Sequence, residues 1–327
     1  MKRNVSETIE ELTDEERKLY DRQIRLWGLE AQRRLNKFRV CVAGMTGLGA
    51  EVAKNVILAG VAQVTLMDHK EVLENDFRSQ FMVKPQDLGK NRASASLSYA
   101  RRLNPMVKTE ALEEDILEKD DSAFLKQFDM LVVCDMIPLK RAFDLDDRCR
   151  KNNVKLIFGH VLAGMGFFIS DLMNFDFVGE VINHLKDGKQ VKNEPMNRLY
   201  PPMREIMNVR YVNKRSGAAL TKRTNKCVLQ LYLLLEFYKE TADSIPTKED
   251  LENLLPKVAE RLGAPEERFE IDLLDEILSH EPGPVAATVG GVLGQEVVKV
   301  ASQNCVPFHN SFVFDVDTCQ GVVELLK

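Results

Sequence analysis

Arg39-Val40-Cys41-Val42-Ala43-Gly44-Met45-Thr46-Gly47-Leu48-Gly49-Ala50-Glu51 is the stretch whose reading decides the fold. Five residues of strand length empty into a glycine turn. The turn opens a run, Val52 to Ala59, with the apolar spacing of a helix, which stops at Gly60. Gln63 to Met67 reads as the next strand and ends on Asp68, about 20 residues beyond the first glycine, where an acid that holds a ribose is expected. Strand, glycine turn, helix and strand make a nucleotide-type βαβ unit. On the residues alone, Gly44, Gly47 and Gly49 serve either as a phosphate cradle or as a tight strand-to-helix connection. Thr46 stands where the usual fingerprint has glycine, and a side chain there narrows the room for pyrophosphate.

Outward from this unit the alternation continues. A helix over Leu88 to Leu103 is closed by Asn104-Pro105, because proline lacks an N–H and restricts its predecessor. Val107 to Ala111, Phe128 to Cys134 and Lys155 to Phe158 read as strands, with Pro138 to Lys151 as a returning helix. Right-handed crossovers then give a mostly parallel, doubly wound sheet from Arg39 to about Gly166. Phe167 to Ile169 and Phe175 to Val178 read as antiparallel additions to it. The polar residues 183–213, with Pro195, Pro201 and Pro202, show no sustained period and read as a surface excursion or loop. Helices follow over Ser216 to Tyr238, Lys248 to Leu262, Glu266 to Ser279 and Pro284 to Lys299, and Phe312 to Val316 with Val322 to Leu326 makes a closing hairpin. The domain reading is an N-terminal helical segment (1–38), a Rossmann-like core (39–182), the polar excursion (183–213), and C-terminal helices and hairpin completing the same fold (214–327).

The 327 residues carry 44% hydrophobic and 29% charged residues and a formal charge of -5, which gives no electrostatic reason to expect nucleic acid. Met1 to Glu7 lack the apolar run of a signal peptide, and no uncharged stretch approaches bilayer length, so the expectation is an intracellular protein without a membrane span. Six dispersed cysteines (Cys41, Cys134, Cys149, Cys227, Cys305, Cys319) form no C-x-x-C pair, and the five histidines have no ligand spacing, so no metal site is expected.

Ahead of the core, Thr13 and Glu16 form a capping box for a helix on which Tyr20, Ile24, Trp27, Ala31 and Leu35 make the packed face. Arg22 and Arg25 project elsewhere, and Gly28 breaks or bends the helix. On an anonymous helix both arginines read as solvated.

Tyr20-Asp21-Arg22-Gln23-Ile24-Arg25-Leu26-Trp27-Gly28, Gly47-Leu48-Gly49-Ala50-Glu51, Leu103-Asn104-Pro105-Met106-Val107, Ala219-Leu220-Thr221-Lys222-Arg223-Thr224 and Val289-Gly290-Gly291-Val292-Leu293 together resemble the ubiquitin-activating enzyme family, and within it the smaller subunits of SUMO-activating enzymes. The resemblance spans almost the whole chain. It implies one half of a heterodimer of two Rossmann-like adenylation folds. The larger subunit is the competent half, binds most of the ATP and Mg, and carries the thioester-forming cysteine. SUMO is then a partner, the SUMO-conjugating enzyme an indirect one, and residence is nuclear, with the cytoplasm as a second compartment.

The residues test which half this is. Against the N-x-x-R-Q-F run of an active half, Asp76-Phe77-Arg78-Ser79-Gln80-Phe81 places Ser79 at the arginine. Against G-x-x-K-A, Gly89-Lys90-Asn91-Arg92-Ala93 offers Arg92 for lysine. Asp68 and Asp135, near the metal-binding aspartate of an active half, survive but read as a solvated acid and a helix cap. Gly44, Gly47, Gly49 and Asp68 therefore make a degenerate, empty loop. By the resemblance, Arg22 crosses the interface to the ATP phosphates in the partner, and the helix Pro284 to Lys299 helps build or support that interface. The rivals are a self-sufficient homodimeric adenylyltransferase of ubiquitin-like or sulfur-carrier type, a nicotinamide-type oxidoreductase, and a purely structural binding module.

Overall fold

The computed structural model describes residues 13–119, 122–185, 188–212, 220–242, 244–269, 271 and 281–327. The expected N-terminal helix is three short ones, α1 (Asp14–Leu19), α2 (Asp21–Trp27) and α3 (Leu29–Leu35). The chain breaks at Tyr20 and again at Gly28, whose φ of 86° suits glycine. The capping box is present: Thr13 accepts from the Glu16 amide, and Glu16 accepts from the Thr13 amide at 2.8 Å. Tyr20, Ala31 and Leu35 are buried as the spacing requires, whereas α2 buries no residue and lies on the surface.

The core then runs β1 (Arg39–Ala43), α4 (Gly47–Ala59), β2 (Gln63–Met67), α5 (Arg92–Leu103), β3 (Lys108–Leu112), the single turn α6 (Ser122–Leu125), β4 (Met130–Val133), α7 (Leu139–Lys151), β5 (Lys155–Leu162) and β6 (Met165–Asp171). With β9 (Ser311–Asp315) and β10 (Gln320–Glu324) they form one eight-stranded sheet in the order β10-β9-β6-β5-β4-β1-β2-β3. The five strands from β3 to β5 are parallel, and β6, β9 and β10 extend them antiparallel. The doubly wound α/β fold, its C-terminal helices and its closing hairpin are therefore as expected. β1 and β4 are buried almost throughout because helices cover both faces of the sheet. On one face α3, α4, α5 and a long helix α10 (Gly283–Ser302) pack on Val40, Val42, Leu66 and Val132. On the other, α7, α8 (Lys226–Phe237) and α9 (Lys248–Leu262) pack on Leu131, Val133, Leu156 and Phe158.

Two readings change. Phe175 to Val178 does not join the sheet but lies in β7 (Asn174–Leu185), which pairs with β8 (Gly188–Leu199) as a separate antiparallel ribbon running through the expected loop. No period was visible because residues 192–197 and Leu199 are all exposed, so β8 has no buried face there to alternate against. Pro195 takes no hydrogen bond from its partner Val178, whose N–H and carbonyl face the other way to the Gln303 carbonyl and the Cys305 amide. The helix expected from Ser216 begins only at Lys226, after a turn closed by the Thr224 amide on the Thr221 carbonyl at 2.9 Å, and Asn225 caps it. Its earlier part, 216–219, lies outside the described residues, as do residues 270 and 272–279 of the expected Glu266 to Ser279 helix. Glu266–Arg268 is a short 3₁₀ turn.

The small residues of α10 serve this chain's own core. A Cβ on Gly290 would lie 2.5 Å from the Glu51 Cβ, and one on Gly294 would lie 2.6 Å from the Asn55 Cβ, so glycine lets α10 lie directly on α4. At Gly291, on the same helix, a Cβ would meet nothing within 4 Å. Gly294→Ala should therefore lower the stability of the isolated chain by about 1–3 kcal/mol through overpacking. Gly291→Ala should raise it by about 0.5–1 kcal/mol, because alanine orders more readily in a helix. Urea unfolding curves of the two variants check this, and shifts of the same sign would contradict the packing.

Candidate functional site: the glycine loop and the N-terminal arginine

The loop between β1 and α4 sits where the strands diverge, β2 to one side and β4 to the other. Gly44 has φ 91°, and a Cβ there would strike Asp135 at 2.7 Å; a Cβ on Gly49 would lie 2.0 Å from the Gly44 carbonyl oxygen. These glycines set the first turn of α4 at the carboxyl ends of the strands, with its free N–H groups facing the crevice.

Thr46 does not crowd that crevice, contrary to the expectation. Its hydroxyl donates to the Cys134 carbonyl at 2.9 Å and accepts from the Gly49 amide, so it is turned back into the sheet as the cap of α4. The anion position at the helix N-terminus is filled instead by Glu281. One carboxylate oxygen accepts from the Gly47 amide at 2.6 Å and from the Ser79 hydroxyl at 2.8 Å, and the other accepts from the Leu48 amide at 2.7 Å. Burial pushes the Glu281 carboxyl above its ordinary range, and the Leu48, Ser79 and Gly47 donors pull against that shift.

Asp68 is not a solvated acid but a buried one. Its two oxygens accept from the Met45 amide at 2.7 Å and the Lys70 amide at 2.9 Å, and the Arg92 guanidinium stands 3.9 Å away. Burial pushes its carboxyl up against the Lys70 hydrogen bond. Arg92, at the position where an active half has lysine, is committed to Asp76 at 2.8 Å. Asp135 does not cap α7, whose first residue follows Pro138 without a side-chain cap. It pairs with the Lys70 ammonium at 2.5 Å. Burial works to raise its pKa, but Lys70, with His160 and Arg92, holds it below the ordinary carboxylate range. Beside Asp68, Lys70 and Asp135 a cavity of about 250 Å³ remains, below the ~300–1,000 Å³ usual for ligand sites.

Gly44, Gly47, Gly49 and Asp68 thus come together as the spacing predicts. Glu281 and Lys70 were not found from sequence. Glu281 is more than two hundred residues from the loop it touches, and Lys70 is an unremarkable lysine after a strand. The only local sign of the first is an acid directly ahead of Pro282-Gly283, which opens α10. As a pocket for MgATP the residues do not fit, since a carboxylate stands on the phosphate-facing amides and an ammonium on the metal-facing acid.

Arg22 lies elsewhere, exposed on the first turn of α2 and, among the described residues, without a hydrogen-bond or ion-pair partner. Leu26, one turn on at i+4, is 77% exposed beside it, and Leu19, at the end of α1, is 55% exposed. Arg25 is held by Asp21 at 3.0 Å. The helix is pinned from beneath: the Tyr20 hydroxyl accepts from the Asn104 side chain at 2.8 Å, Asn104 also donates to the Ile57 carbonyl, and the Tyr20 ring lies where a Cβ on Gly60 would come within 2.4 Å.

Cys41, Cys134, Cys149 and Cys227 are buried, and burial pushes their thiols up, Cys149 and Cys227 to about 12, which keeps them protonated and poor nucleophiles. Cys305 and Cys319 are exposed. Among the described residues no group of three His, Cys, Asp or Glu is placed to hold a metal ion, and no helix is long and apolar enough to cross a membrane.

Residues 20–322 match the model of the ThiF family. The chain is 40% identical over 342 aligned positions to SUMO-activating enzyme subunit 1 of Xenopus tropicalis, covering 96% of this chain and 97% of that protein. It is 38% identical to SUMO-activating enzyme subunit 1 of Homo sapiens, covering 96% of each. Among solved structures it is similar to E. coli MccB with succinimide (TM-score 0.55, 13% identity, 94% of this chain and 71% of that one) and to PaaA (TM-score 0.56, 14% identity, 100% and 78%). At those identities the two structures establish the fold alone.

Near Asp135, removal from water pushes the His160 imidazole down to about 4, against the attraction of Asp135. His160 is thus neutral in the folded chain and charged in the unfolded chain between about pH 6.5 and 4, so its share of stability is full above pH 6.5 and lost as pH falls through that window. The loss should reach at most about 3 kcal/mol. His160→Asn should flatten the stability curve between pH 6.5 and 4.5, as read by urea unfolding; an unchanged slope would contradict the assignment.

Proposed function

We propose, for a chain that belongs to the ThiF family and to its SUMO-activating enzyme subunit 1 group, that it is the non-catalytic adenylation half of a heterodimer that activates SUMO. The observation that carries this reading is the glycine loop. The adenylation fold is complete, yet the loop's phosphate-facing amides are taken by Glu281 and its metal-facing acid by Lys70. A half-site of this kind calls for a second subunit that binds ATP and Mg and carries the thioester cysteine. That division also accounts for four of the six cysteines being buried and protonated. The self-sufficient homodimer is disfavoured by the same loop. The oxidoreductase lacks any hydride-transfer constellation and would need the same phosphate-facing amides for its dinucleotide.

In this reading SUMO is adenylated at its C-terminus in the partner's site, and the SUMO-conjugating enzyme receives it later. Nuclear residence is part of the proposal. This chain contributes the scaffold and Arg22. Its guanidinium would neutralise phosphate charge in the neighbouring site through planar, two-pronged hydrogen bonds, without adding a proton-transfer step. The free cation, the exposed Leu26 one turn on, and the anchor of Tyr20 on Asn104 support that role. The small-residue face of α10 supports the interface indirectly, by holding α4 and the loop in place.

Arg22→Ala should leave folding and assembly with the larger subunit nearly intact and reduce SUMO-dependent pyrophosphate exchange by about 2–4 kcal/mol of transition-state stabilisation, or roughly thirty- to a thousandfold. Arg22→Lys should recover part of that rate, and Arg25→Ala little or none of the loss. Wild-type exchange by Arg22→Ala in an intact heterodimer would leave the chain a passive scaffold. A chain that stays monomeric beside the larger subunit at micromolar concentration would overturn the heterodimer itself.

A further inference from the structure

We propose that Glu281 is a built-in phosphate surrogate whose carboxylate keeps this chain's glycine loop closed to nucleotide phosphates. The inference deepens the reading of the loop as a ThiF nucleotide loop that has lost its ligand. Three features of the geometry carry it. The two carboxylate oxygens take separate N–H groups of the first turn of α4, Gly47 and Leu48, the bidentate arrangement a phosphate oxygen pair adopts at a helix N-terminus. The third donor is Ser79, at the position where an active half supplies arginine, so the residue that lost the cation has become a ligand of the internal anion. Glu281 is also fixed from behind by α10: two residues on, a Cβ at Gly283 would lie 3.0 Å from the Arg78 carbonyl oxygen, which packs the start of the helix against the Ser79 turn.

The charge pattern of the whole crevice is inverted in the same sense. A phosphate-bound metal would place a cation between the nucleotide and Asp135, and there the Lys70 ammonium stands at 2.5 Å. Asp68, which would face a ribose, is buried, and each of its oxygens already accepts one amide, that of Met45 or of Lys70. Anion and cation positions are each filled by the chain's own side chains, and what remains open is the cavity of about 250 Å³ beside them. Both positions hold side chains of this chain at local concentrations against which a diffusing ligand must compete.

The test uses the full chain and inorganic pyrophosphate as the probe. Wild type should show weak, non-saturating heat on titration. Glu281→Ala should bind pyrophosphate at least about tenfold more tightly, because two amides and a hydroxyl are freed for charge-assisted hydrogen bonds. Its lowered Tm should rise again as pyrophosphate is added, and the Gly47 and Leu48 amide resonances should shift in the titration. Glu281→Gln, which keeps the size and one acceptor, folds with less disturbance and should show a smaller gain of the same kind. Glu281→Ala combined with Ser79→Arg should bind more tightly still. Affinities of wild type, Glu281→Ala and Glu281→Gln that agree within about threefold, or binding that leaves the Gly47 and Leu48 resonances in place, would overturn the proposal. Assembly with the larger subunit and SUMO-dependent exchange by the same variants report on the subunit assignment, so the two readings fail separately.

Discussion

The constraint on which the rest of the structure depends is the passage of the chain from β1 into α4. β1 ends level with its two neighbours, its last residue Ala43 pairing with Met67 of β2 and Val133 of β4, and the chain must turn out of the sheet at that point. Only a residue free to adopt φ 91° with no Cβ against Asp135 can make that exit, and Gly44 does so. Gly49 then lets α4 start almost on top of the Gly44 carbonyl. The consequence is a helix whose unsatisfied N–H groups point into the crevice at the carboxyl ends of the strands. Those groups carry a fractional positive charge and must be met by something. In an enzyme of this fold a ligand can meet them; in this chain Glu281 does.

Satisfying the loop from within has a structural benefit that does not depend on any ligand. Glu281 ties the start of α10 to the start of α4, and the two helices then run against each other with Gly290 and Gly294 at the contact. Their shared apolar flank, with Val56, Val289, Leu293 and Val297, covers one face of the sheet. The pair Lys70–Asp135 and the pair Arg92–Asp76 close the remaining charges nearby. The crevice thus works as a clamp between elements distant in sequence.

The same core fixes the surface that faces outward. Tyr20 reaches over Gly60 to Asn104, so the end of α4 and the end of α5 together hold the hinge between α1 and α2. α2 fully buries none of its own residues, and the Tyr20 ring with its hydrogen bond, Trp27 half-buried against the core, Gln23 donating to the Leu58 carbonyl and Asn304 donating to the Trp27 carbonyl together set where Arg22 and Leu26 stand. A long cation on a surface helix with a fixed root loses less orientational freedom when it meets an anion.

The sequence by itself determined the α/β class, the glycine turn, the strands and helices that alternate after it, and the capping box that opens the N-terminal helical segment. Each follows from a local rule that needs no distant partner: a period of two or 3.6, a glycine where φ must be positive, a threonine with glutamate three residues on. It also located the departures at Thr46, Ser79 and Arg92. It misjudged what Thr46 does, because a hydroxyl's direction depends on the Cys134 carbonyl of another strand. It missed the β7–β8 ribbon, because a strand exposed on both faces leaves no hydrophobic alternation. Only the tertiary structure decided what fills the loop. Whether a carboxylate from residue 281 and an ammonium from residue 70 reach the anion and cation positions is set by how α10 lands on α4 and how the segment after β2 turns back toward β4. No pattern within a window of sequence encodes a contact closed across more than two hundred residues.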